Sequence, residues 1–254
     1  MDVYASLRLQ IEWGADEALD PAPVDRLTAR APKAAALPQR ANVSLPSAMP
    51  VSKALEQARI LASSARTTIE LRAALAAFDG CALATTATNL VFADGGPDAR
   101  LMVIGDVPGA EEDRDGRPFV GPPGRLLDRM FASIGLDRTQ MLLTNVVAWR
   151  PPGNRMPSES EIQLCVPFLL RHIALAQPHA LVLLGAIAAQ TVLGTKASIT
   201  RIRGRWTDVA IPGMDREVAA LAMVHPGYLL QHPEAKRQSW TDLLSLRHRL
   251  ESMS

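Results

Sequence analysis

The sequence predicts an α/β fold: a three-layer α/β/α arrangement around a central, mostly parallel four-stranded sheet. Three observations carry this. From about residue 99, short apolar runs alternate with stretches of helical periodicity. Strand–helix alternation with right-handed crossovers gives a mostly parallel sheet covered on both faces. The chain of 254 residues, 48% hydrophobic, is long enough to bury a full core without staples.

Taken in order, residues 1–20 suit a short amphipathic helix around Leu7, Leu9, Ile11 and Trp13. Prolines at 21, 23, 32, 38, 46 and 50 then forbid regular helix and predict an irregular linker. Residues 51–64 read as helix. A second helix opens at Thr67, with Glu70 at capping-box spacing, and runs to about Phe78 before Asp79-Gly80. The division expected is an extension over 1–65 and a globular domain over 66–254.

Within that domain, strands are expected at Leu101–Ile104, Met141–Val147, Ala180–Leu184 and Ala219–Val224. Helices are expected at Arg125–Ile134, from the Ser158/Glu161 capping box to about Ala176, at Ala186–Leu193 and at Ser239–Arg249. Ligands of such sheets sit beyond the carboxyl ends of the strands. Asp106, Asn145 and His225 all fall at such ends.

Composition excludes several classes. No apolar run approaches the ~20 residues of a membrane span. The amino end lacks the layout of a secretory signal, so a cytoplasmic protein is expected; no membrane association and a monomeric state are also expected. Two cysteines, Cys81 and Cys165, exclude a disulfide scaffold and an all-cysteine four-ligand metal site. A net charge of +1 argues against wholesale electrostatic binding of nucleic acid, though not against local patches.

Three clusters carry chemistry. Residues 105–124 hold five glycines and four prolines, which makes an ordered, turn-rich loop whose backbone can approach a ligand. The plain alternative is a surface loop joining strand to helix. Neither a dinucleotide fingerprint nor a Walker phosphate loop is present. In the second cluster, Asn145–Arg155, the Asn145 amide either caps backbone groups or reads a base edge with its paired donor and acceptor. In the third, His225–Leu230, a histidine fixed by a following proline is either a structural hydrogen-bond partner or a catalytic group.

Together these clusters resemble the uracil-DNA glycosylase superfamily, most closely family 4. Gly105–Asp113 matches the motif G-E-[AG]-P-G-x-x-E-D, and Gly116–Leu127 matches G-x-P-F-V-G-x-x-G-x-L-L. Thr144–Arg155 is similar to T-N-V-V-x-C-R-P-P-G-N-R, and His225–Leu230 to H-P-A-x-L-L. The similarity runs in consistent order over roughly residues 75–250, with further support at Ile199–Trp206 and Pro233–Trp240.

Departures accompany the match. Asp106 stands where the family usually has Glu, and Gly227 where Ala is common. Cluster-bearing members use four cysteines; here Cys81 and Cys165 match two, while Phe78 and Trp149 stand at the others. Two thiolates cannot hold a [4Fe–4S] cluster. No cofactor and no metal are therefore expected, with the two aromatics filling the space.

The resemblance implies excision of uracil from DNA by hydrolysis of the N-glycosidic bond, leaving an abasic site, with uracil-containing and abasic DNA as partners. It places Phe119 on the face of a flipped uracil, Asn145 on its edge and His225 at its O2. It assigns Asp106 to a water and the cationic sugar, and backbone groups at Asp106 and Val107 to the base. Glu112 would shape the pocket or exclude other bases, or else be a solvated loop carboxylate. DNA contacts are expected from Arg201, Arg203 and Arg205, alternating along an extended segment. Residues 191–254 hold nine basic and six acidic residues, a local +3. Tyr228, Leu229 and Leu230 are candidates for a duplex wedge, with core packing the other account of at least one leucine. Two other functions stay open: a binding protein for uracil or abasic sites with little turnover, and a glycosylase for another deaminated base.

Overall fold

The computed structural model describes residues 50–252; the expected helix near Leu7–Trp13 and most of the proline-rich segment lie outside them. The described elements begin with α1 (Val51–Ser64), α2 (Thr68–Ala76), α3 (Leu83–Thr86), β1 (Asp94–Gly95) and β2 (Leu101–Gly105). Next come α4 (Ala110–Asp115), α5 (Gly121–Ala132), β3 (Met141–Asn145), α6 (Glu159–Ala176), β4 (Ala180–Leu184) and α7 (Ala186–Leu193). The chain then forms α8 (Ile199–Ile202), β5 (Trp206–Val209), β6 (Val218–Met223), α9 (Pro226–Gln231) and α10 (Lys236–Ser252). Among the described residues no helix is long and apolar enough to cross a membrane.

The sheet has six strands in the order β1-β3-β2-β4-β6-β5, not four. The four expected strands are its parallel centre, in register from Leu101 opposite Met141 and Ala180 to Gly105 opposite Asn145 and Leu184. The two additional strands are antiparallel edges. Neither carries a sequence signal: β1 has two residues, and β5 has no buried residue. Edge strands of this kind are held by their partner's ladder rather than by an apolar pattern.

Side chains alternate across the sheet with period two. Met102, Ile104, Leu181, Leu183, Ala220 and Ala222 join the core on the α1, α2, α6 and α7 side. Leu101, Val103, Val182, Leu184, Leu221 and Met223 join Leu127 and Phe131 of α5 and Leu243 and Leu246 of α10 on the other. Three layers result. Helix α1, grouped by the sequence with the extension, presents Ala54, Ala58 and Ala62 as a buried stripe, and it packs on α6. Arg171 of α6 also donates from Nε and Nη2 to the Ala65 carbonyl, at 2.9 and 2.7 Å.

Helix starts follow their caps. Thr67 Oγ1 accepts from Glu70 N at 3.1 Å. Ser158 and Glu161 exchange reciprocal bonds, Glu161 N to Ser158 Oγ at 3.2 Å and Ser158 N to Glu161 Oε2 at 2.7 Å. Helix α5 begins four residues before the expected Arg125, because Pro122 and Pro123 occupy first-turn positions where a missing N–H costs nothing.

Candidate active site

Because β3, β2, β4 and β6 are parallel neighbours, their carboxyl ends stand side by side. Asn145 is the last residue of β3, Asp106 follows β2, Gly185 follows β4, and His225 lies two residues beyond β6. Sequence-distant groups thus share one edge of the sheet.

Gly105 is the hinge of this arrangement. A Cβ there would collide with Asn145 Oδ1 and lie 2.6 Å from Phe119 Cζ, so the amide and the ring meet above a bare backbone. Asn145 is 7% exposed, and its side-chain amide makes no hydrogen bond among the described residues. Its donor and its acceptor are thus both left available to a ligand. Phe119 is buried, adopts a left-handed φ of 53°, and lies stacked near His225 with ring centroids 6.0 Å apart and planes at 26°. Its carbonyl accepts from Arg138 Nη2. Arg138 also reaches Asp128 Oδ1 at 2.8 Å and Asp94 Oδ2 at 2.6 Å.

Asp106 turns towards α7. Its Oδ1 accepts from Ala188 N at 2.7 Å, and its carboxyl group lies where a side chain on Gly185 would stand. Burial raises its pKa to about 6, opposed by the amides of Ala188, Ile187 and Ala186. His225 caps α9: Gly227 N–H donates to its Nδ1 at 3.0 Å. An accepting Nδ1 leaves the ring proton on Nε2. Burial lowers its pKa to about 4, so the ring is neutral at pH 7.

Other expected residues are placed differently. Glu112 is no solvated loop carboxylate: its Oε2 accepts from Gly109 N at 3.0 Å at the start of α4, and burial raises its pKa. The loop itself is pinned by Asp113, whose Oδ1 accepts from Thr88 N at 2.8 Å and Asn89 N at 3.2 Å. Val107 packs its side chain against the core, which leaves only its backbone for a ligand.

The three arginines do not line an extended strand. Arg201 lies in α8, and Arg203 is paired with Asp242 at 2.6 Å while donating to the Gln238 carbonyl at 2.5 Å. Only Arg201 and Arg205 are exposed. Leu229 is 1% exposed and belongs to the interior, which removes it from a wedge, whereas Tyr228 and Leu230 are 47% and 43% exposed. The helical turn α9 sends residues 228 and 230 outward and residue 229 inward.

Two positioning groups were not read from the sequence. Gly185 carried a weak signal, a glycine between a strand and an alanine-rich helix start. Arg138, in a polar turn before β3, carried none. Among the described residues, two large hollows lie elsewhere: about 780 Å³ lined in part by α1 and α6, and about 480 Å³ lined in part by residues 96–101 and His179. Size does not select the site; convergent polar groups at the strand ends do.

The positions matching a cluster's cysteines do not fit one. Phe78, Cys81, Trp149 and Cys165 are all buried in one apolar cluster, with the Phe78 ring 5.4 Å from that of Phe168. The adjacent Cys81 sulfur and burial push the Cys165 thiol well above its ordinary value. Among the described residues no group of three or more His, Cys, Asp or Glu side chains could hold a metal ion.

A family model described as "Uracil DNA glycosylase superfamily" matches residues 92–244. A "Type-4 uracil-DNA glycosylase" of Archaeoglobus fulgidus is 36% identical over 166 residues, covering 64% of this chain and 82% of the relative. One of Sulfurisphaera tokodaii is 37% identical over 172 residues, covering 66% and 77%. One of Thermotoga maritima is 39% identical over 153 residues, covering 60% and 77%. The matched region spans β2 to β6 and every strand end of the site, and the chain belongs to the uracil-DNA glycosylase superfamily.

Proposed function

We propose that the protein is a monofunctional uracil-DNA glycosylase that opens base-excision repair. The observation that carries this is the convergence of the Phe119 ring and the Asn145 amide over Gly105, with a neutral His225 beside the same ring. A flat aromatic face, a donor–acceptor amide and a neutral N–H donor suit a planar base with alternating carbonyl and N–H groups.

In this reading the uridine nucleotide leaves the duplex, and its base stacks on Phe119, worth ~1–3 kcal/mol. The Asn145 carbonyl accepts from uracil N3–H and its NH₂ donates to O4. Cytosine offers an amine at that place, donor against donor, and is refused. As the C1′–N1 bond breaks, its electron pair leaves with the base, and negative charge grows on O2. His225 Nε2–H meets that charge without surrendering a proton. The sugar becomes oxocarbenium-like, and Asp106 offsets its positive charge and orients the water whose oxygen bonds to C1′. The proton that this water loses neutralises the departing uracil anion by way of solvent, giving free uracil and an abasic site.

Arg201 and Arg205 would contact phosphates. Tyr228 and Leu230 would fill the vacated stack. Few phosphates are engaged, so binding should weaken only modestly with salt. The protein is proposed to act as a monomer on uracil-containing DNA, and to retain abasic DNA as product. A cytoplasmic setting suits its two free thiols.

One observation favours a second reading. The Asp106 carboxylate is already engaged by Ala188 N, which suits a protein that holds uracil or abasic sites with little turnover. Incubation with oligonucleotides carrying uracil, hypoxanthine or xanthine, followed by alkaline cleavage, separates these readings. Uracil-dependent strand breaks are expected. Tight retention without breaks would establish the binding protein instead, and breaks only at hypoxanthine or xanthine a different base specificity.

A further inference from the structure

We infer that Arg138 is a positioning residue for the base-stacking ring: its guanidinium holds Phe119 in the left-handed backbone conformation that aims the ring into the site. The inference rests on the proposed role of Phe119 and extends it to a residue outside every motif described above.

Phe119 has φ 53°, a region that bulky L-residues avoid because Cβ crowds the backbone. Such a conformation persists only where its surroundings impose it. The constraint is visible at both ends of the residue. Its carbonyl accepts from Arg138 Nη2 and is pressed against Gly124, where any Cβ would collide with that oxygen. Its ring rests over Gly105 and beside His225.

The guanidinium is itself fixed. Nε donates to Asp128 Oδ1 of α5 at 2.8 Å and Nη2 to its Oδ2 at 3.3 Å, while Nη1 donates to Asp94 Oδ2 of β1 at 2.6 Å. A rigid planar fork anchored on two carboxylates leaves one direction for the second N–H of Nη2, and that direction meets Phe119 O. A tie between α5 and β1 alone would be complete with the two carboxylates. The bond left over goes to the carbonyl of Phe119, the one non-glycine residue of the site with a positive φ. Lysine, with a compact ammonium, cannot span these acceptors in one plane.

The test is a mutant cycle read in single-turnover excision of uracil at saturating DNA, with thermal melting measured on each variant. Arg138→Gln should lower the rate about 10-fold or more, as small displacements of a positioned group do. In a Phe119→Ala background the same change should cost less than about 2-fold, since no ring remains to aim. Arg138→Lys should recover most of the melting temperature but not the rate. Equal losses in both backgrounds, or rates that simply follow the folded fraction, would overturn the inference. If Phe119→Ala alone keeps the wild-type rate, the stacking role fails and the positioning role fails with it. An impaired Phe119→Ala with additive Arg138→Gln removes the positioning role alone.

Discussion

The carboxylate of Asp106 occupies the space that a side chain on Gly185 would need, and Gly185 itself has φ 110°. Two adjacent strand ends are thereby made complementary, one by keeping a short acid and the other by having no Cβ. Gly185→Ala is expected to displace Asp106 and strain the turn. Stability should fall by about 1–3 kcal/mol in denaturant titration. Excision should fall by about 100-fold, as expected for a misplaced catalytic group.

Burial raises Asp106 to about pKa 6. The proposed role needs the carboxylate, so excision should rise with pH through about 6 and level off above it. In Asp106→Asn that limb should vanish, with the rate low throughout and uracil-DNA binding largely kept. Identical pH profiles for the two proteins would remove Asp106 from the mechanism. The stability effect has the opposite sense: a raised acid pKa favours the protonated fold, so this group's contribution declines as pH rises from about 4 to 6.

His172 is 3% exposed and stacked on Phe92 at 4.6 Å, and burial lowers its pKa to about 4. The fold holds it neutral, whereas the unfolded chain protonates it below about 6.5. Its contribution is therefore whole above pH 6.5 and is lost as pH falls towards 4, by about 2 kcal/mol between pH 7 and 5. Urea titrations at both pH values should show this loss, and His172→Phe should reduce it. His225 adds a second acid-sensitive increment of the same sign.

With Phe78 and Trp149 buried beside Cys81 and Cys165, the purified protein should be colourless. Elemental analysis should find no stoichiometric iron, and chelators should leave melting and excision unchanged. Bound iron with broad visible absorbance would falsify this reading of the cysteines.

Neighbouring leucines should behave oppositely. Leu229→Ala opens a cavity in the interior and should cost about 2–5 kcal/mol of stability. Leu230→Ala should leave stability nearly intact and slow excision from duplex more than from single-stranded DNA, because only the duplex needs its stack filled. Parallel losses on both substrates would exclude a wedge at Leu230.

Local chemistry is what the sequence by itself determined. The four central strands, the Thr67 and Ser158 caps and the three polar clusters were legible because period, capping residues and turn glycines act over a few residues. The order of motifs also made the family visible. The edge strands β1 and β5 were not legible, since they are held by β3 and β6 rather than by their own pattern. Tertiary structure alone decided that Arg203 is committed to Asp242 and that Leu229 faces inward while Leu230 faces outward. It alone brought Arg138 to the carbonyl of Phe119 and Gly185 to Asp106. These relationships join residues about 20 and 80 positions apart, and they exist only once parallel pairing has set the strand ends side by side.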